Sequence, residues 1–175
     1  MDQLSEQNRK KQSNFEVVDL QEKHLSPHIE KFRTDLEPVI KKALGEMAQR
    51  QQDESLVDHR QGKCIFNDTV LFAFKSAKIR EKGYQTRIIT SLDTGRLPNG
   101  EFSDQVMHEH TIPVIDIPQT EKVALVDVSI AQFGPINSDL ADKEVLVAIV
   151  ENEETAIERA CQSLFGQGVW KLEGA

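Results

Sequence analysis

The chain has 175 residues, 38% of them apolar and 29% charged, with a formal net charge of −8. That length supports a real hydrophobic core, and the acidic balance excludes a nucleic-acid binder that works through a basic stripe. No apolar run approaches the ~18 residues that span a bilayer. The N-terminus lacks the hydrophobic stretch of a Sec signal peptide, and two distant cysteines, Cys64 and Cys161, make no disulfide framework. The expected setting is reducing and cytoplasmic, although export by a route that reads other signals stays compatible with these features. The short basic clusters Arg9-Lys10-Lys11 and Lys41-Lys42 read as solvated faces, so neither nucleic acid nor a membrane is an expected partner.

Residues 1–14 are polar and read as a disordered or frayed tail. From Ser26 to Gln52, Ile29, Phe32, Leu36, Ile40, Leu44 and Met47 recur at three- and four-residue steps and build one apolar helical stripe. Ser26-Pro27 has the chemistry of an N-cap and first helical residue, whereas Pro38 should kink or divide the helix. After a polar stretch, Cys64 opens the run CIFNDTVLFAFKSAKIREKG, which reads as a buried helix with Asp68 in an early turn and Gly83 as its stop. Thr86 to Thr90 follows as a short strand, and then comes a turn-rich segment through Thr94-Gly95 and Asn99-Gly100. His110 to Ile117 and Val123 to Ser129 should be antiparallel strands joined by the polar link PQTEK. Glu144 to Val150 reads as another buried strand, and Glu153 to Phe165 as an amphipathic helix closed by Gly166.

The order of these elements predicts an α+β fold: a helical N-terminal region packed against an antiparallel sheet. Residues 15–175 are expected to form a single α+β domain, with a helical extension over 15–58 and a core over 59–175.

The chemistry centres on Cys64. A helix N-terminus favours a thiolate through its unpaired N–H groups and the positive end of its dipole, and Cys64 stands where a helix begins. Cys161, inside an amphipathic helix, reads as a small hydrophobe. A thiol nucleophile needs a base, and the base needs an orienting group. His110 opens one strand of the hairpin, and Asp127 interrupts the apolar run VALVDVSI in the other, where a carboxylate needs a partner. A turn centred between Pro118 and Gln119 sets His110 directly opposite Asp127, at about 4.5–5.5 Å between Cβ atoms. Centred one residue later, it sets Asp127 opposite Ile112 and makes His110 the diagonal neighbour.

Other groups carry less. His108-Glu109-His110 offers two same-face ligands where zinc takes three or four, so neither metal nor cofactor is expected. Gly166, Gly168 and Trp170 lack the context of a dinucleotide fingerprint and read as a turn and a packing anchor. Gln61 and Asn67 are candidate oxyanion donors, or polar surface and capping residues.

The ordered set resembles the transglutaminase-like superfamily, a circularly rearranged relative of papain-like peptidases. It comprises Gly62-Lys63-Cys64 at a helix start, Gly83-Tyr84 and Arg87 at a strand entry, His110 opening a strand, and Val126-Asp127 with Ser129 after a hairpin. The resemblance covers residues 61 to about 130. It implies a papain-like core with Cys64 as nucleophile, His110 as base and Asp127 as orienting acid. It departs from the family where Thr111-Ile112 stands for the frequent Ala-Trp and where Val128 replaces the usual Pro. The implied function is cysteine-dependent acyl transfer on a protein or peptide substrate, of peptidase, deamidase or transglutaminase type. The alternative is a non-catalytic interaction module on the same scaffold, docking a partner protein through its N-terminal helical region.

Overall fold

The computed structural model describes residues 15–19, 22–51, 65–91, 94–96, 102–107, 110–128, 145–165 and 169–174; the N-terminal tail reading falls outside them. Helix α1 (Pro27–Gln51) begins as its N-cap chemistry dictates, with the Glu30 amide donating to the Ser26 carbonyl at 2.8 Å. It runs undivided through Pro38, so of the expected kink or division the division does not occur. Pro38 and Thr34, whose carbonyl loses its helical donor, are both exposed, so water can take the donor's place.

The expected single helix after Cys64 is two: α2 (Ile65–Lys75) and α3 (Ala77–Arg80). They part at Ser76, whose carbonyl accepts from the amides of Ile79 and Arg80 and so caps a fresh helix. Gly83 then ends the run with φ of 92°, a left-handed conformation suited to glycine.

Among the described residues, six antiparallel strands form the main sheet: β1 (Phe15–Val17), β2 (Gln85–Ser91), β5 (His110–Asp116), β6 (Lys122–Asp127), β7 (Leu146–Glu151) and β8 (Trp170–Glu173), in the order β1-β7-β6-β5-β2-β8. A separate hairpin pairs β3 (Thr94–Arg96) with β4 (Phe102–Met107), so Thr94-Gly95 lies in a strand rather than in the expected turn. Phe15–Val17, assigned by the sequence to a helical extension, is an edge strand on β7. The fold is therefore α+β with an antiparallel sheet.

Strand alternation sends residues to two cores. On one face Ile115, Ile117, Ala124, Val126, Val147 and Ile149 meet α1 and α2. There Phe74 packs edge-on against Tyr84 at 5.3 Å, and Phe32 lies within 6.0 Å of both rings. The α1 stripe of Phe32, Leu36 and Ile40 is buried here, each side chain contributing about 1.5–3 kcal/mol. The other face, with Ile112, Val114, Val123, Leu125 and Leu146, meets helix α4 (Glu154–Phe165) through Ile157, Ala160, Cys161 and Leu164. Among the described residues, no helix is long and apolar enough to cross a membrane.

Candidate functional site

The β5–β6 link turns later than the first of the two registers. Pro118 to Glu121 form the turn, with Gln119 at φ of 63°, and the Ile117 amide donates to the Lys122 carbonyl at 3.0 Å. The Thr120 hydroxyl holds this loop by donating to the Ile117 carbonyl at 2.8 Å. The ladder accordingly pairs Val114 with Leu125 and Asp116 with Val123. Continued, this register sets Asp127 opposite Ile112, and His110 becomes its diagonal neighbour.

His110 nonetheless reaches Asp127. Its Nε2 lies 2.9 Å from Asp127 Oδ2, with the histidine 5% exposed and the aspartate fully buried. Diagonal neighbours lie within range of a long side chain. The two residues open β5 and close β6, so both stand at one end of the sheet. Ser91 and then Trp170 continue the row across β2 and β8 from His110. Phe165 and Trp170 meet the imidazole edge-on at centroid distances of 5.5 Å and 6.4 Å and limit its rotation. When the imidazole is neutral, the carboxylate holds the proton on Nε2 and leaves the lone pair on Nδ1.

Asn67, in the first turn of α2, has a role that the sequence did not disclose. At 1% exposed it is no surface residue. Its Nδ2 donates to the Thr111 carbonyl at 2.9 Å and to Asp127 Oδ1 at 3.1 Å, while its Oδ1 accepts from the Val128 amide at 3.0 Å. Both carboxamide protons are thus engaged within the protein, which removes Asn67 from the oxyanion donors.

The remaining residues divide clearly. Cys64, Gln61, His108 and Glu109 lie outside the described residues; the described part of α2 begins immediately after Cys64. Cys161 is fully buried, and burial first, then the charges of Asp127 and Glu158, push its thiol far up. Both effects disfavour its thiolate.

Gly83, Tyr84 and Arg87 serve the far end of the sheet. The Tyr84 hydroxyl donates to Asp35 Oδ2 at 2.8 Å. Arg87 pairs with Asp116 at 2.9 Å and also bonds Asn152, tying β2 and β5 to the turn before α4. Among the described residues, no group of three or more His, Cys, Asp or Glu side chains could hold a metal ion. The contact of Phe165 and Trp170 with His110 had no sequence signal beyond their aromaticity. No family model, curated protein or solved structure matches the chain.

Proposed function

We propose that this chain is a cysteine-dependent acyl-transfer enzyme on a transglutaminase-like, papain-like core. Cys64 is the nucleophile, His110 the base and Asp127 the orienting acid. The observation that carries this reading is the buried 2.9 Å bond between His110 Nε2 and Asp127 Oδ2. Asn67 ties the same carboxylate to α2, the helix that follows Cys64 directly in the sequence.

The chemistry follows from these roles. His110 Nδ1 takes the Cys64 proton, and the thiolate adds to an amide or ester carbonyl. The imidazolium then protonates the departing amine or alcohol as the tetrahedral adduct collapses to a thioester. Water or an amine attacks the thioester and releases Cys64. Peptidase, deamidase and transglutaminase chemistry share this path and differ in substrate and in the group that resolves the thioester. With Asn67 committed elsewhere, backbone amides at the start of α2 are the natural donors to the oxyanion.

Two observations favour this reading over a non-catalytic module. The apolar stripe of α1 is already packed into the chain's own core. The second is the buried His110–Asp127 pair itself, because replacing such a pair by apolar residues of similar volume is often neutral or stabilising for a fold. Treatment with a general cysteine-directed electrophile, followed by mapping of the adduct, tests the proposal. Selective modification of Cys64 supports it, and equally slow modification of both cysteines contradicts it.

A further inference from the structure

The Asn67 carboxamide stands where a backbone hydrogen bond belongs. Because Ile117 and Lys122 are a hydrogen-bonding pair, alternate pairs hold the bonds of the ladder, except that Pro113 has no N–H to give, and continuing that phase reaches Thr111 and Val128. There the Val128 amide and the Thr111 carbonyl would normally bond directly. Instead the Val128 amide donates to Asn67 Oδ1, and Asn67 Nδ2 donates to the Thr111 carbonyl. The side chain thus replaces one rung of the ladder and bridges its two sides. Its second N–H is the one spent on Asp127 Oδ1.

A carboxylate held by one oxygen presents the other in a fixed direction. Asp127 has Oδ1 on Asn67 and Oδ2 on His110. By alternation Asp127 lies on the α4 face, whereas α2 packs on the opposite face. Asn67 therefore reaches the carboxylate through the opened ladder. Leucine, of similar volume, would fill this place but satisfy none of the three polar groups that the amide joins.

We propose that Asn67 is a positioning residue for the His110–Asp127 pair: wedged into the β5–β6 ladder, it fixes Asp127 and, through it, the imidazole tautomer. This rests on the reading of His110 as base. The test is ¹H–¹⁵N NMR of the uniformly ¹⁵N-labelled protein, long-range for the histidine rings and one-bond for the side-chain amides, compared with Asn67→Ala and with Asn67→Asp, which keeps the acceptor for Val128 but loses both donors. In the wild type, the neutral His110 ring carries its proton on Nε2, and the Asn67 carboxamide protons exchange with solvent at least about tenfold more slowly than those of a free amide. In either variant the neutral ring becomes a mixture of tautomers. A folded variant with the wild-type tautomer overturns the proposal. If neither variant folds, unprotected Asn67 carboxamide protons in the wild type overturn it. The readout needs no turnover: an inert Cys64 beside a tautomer that responds to Asn67 defeats the enzyme reading alone, and a reactive Cys64 beside an unresponsive tautomer defeats the positioning role alone.

Discussion

Asn67 and Asp127, 60 residues apart in the chain, share a buried hydrogen bond of 3.1 Å that joins the start of a helix to the end of a strand. Through it the carboxylate that meets His110 is anchored to the helix whose described part begins one residue after Cys64. The consequences are testable at each member of the set.

Asp127→Asn keeps the shape of the side chain but removes the charge that holds the imidazole. Hydrolysis of a small activated ester should fall by about 10²–10⁴-fold. Stability should fall by about 1–3 kcal/mol, because an amide cannot satisfy both Asn67 and His110 as a carboxylate does. Denaturant unfolding and ester turnover measure the two effects. A folded variant with undiminished turnover removes Asp127 from the proposed machinery.

Cys161 should behave as core. Iodoacetamide at about pH 8 should leave it unmodified in the folded protein and label it once the chain is unfolded. Cys161→Ala should cost about 1–2 kcal/mol through lost packing and leave ester turnover intact. Fast labelling of native Cys161 would show that this thiol is neither buried nor silenced by its surroundings.

Asp35 predicts a pH dependence remote from the site. Burial alone would raise its carboxyl, but the hydrogen bonds and charge of Lys82 and the Tyr84 hydroxyl outweigh that and hold it below the ordinary value. A folded value below the unfolded one of about 3.9 contributes stability that is fully present above that pH. The contribution disappears as pH falls through the folded value. Asp35→Asn should therefore be less stable than wild type by about 1–2 kcal/mol at neutral pH. As pH falls below the unfolded value of about 3.9, that difference should shrink. Urea midpoints of both proteins at neutral pH and below that value give the answer, and an equal gap at both contradicts the assigned role.

Much of this architecture was legible because burial leaves a periodic trace. The α1 stripe, the apolar runs of β5, β6 and β7, and the α4 pattern all reflect faces that had to leave water. The break at Ser76 left no such trace, because apolar spacing continues across it. Edge strands β1 and β8 were too short and too mixed to alternate visibly. The oddity of Asp127 was readable, since a carboxylate within an apolar run demands a partner, and the hairpin brought His110 within its reach. The register depended on how four turn residues close on Ile117 and Lys122, and composition alone does not determine that. The role of Asn67 was hidden for a related reason: only the three-dimensional fold reveals which ladder rung its side chain replaces.

The most direct measurement is the pH dependence of iodoacetamide alkylation at Cys64, followed by mass spectrometry, in wild type, His110→Ala and His108→Ala. Transfer of the Cys64 proton to His110 predicts rapid alkylation at about pH 6.5, well below the unperturbed thiol value of about 8.5. It also predicts a marked slowing in His110→Ala and near wild-type rates in His108→Ala. A wild-type profile centred near the unperturbed thiol value, or one unaffected by removing His110, would contradict Cys64 and His110 as nucleophile and base.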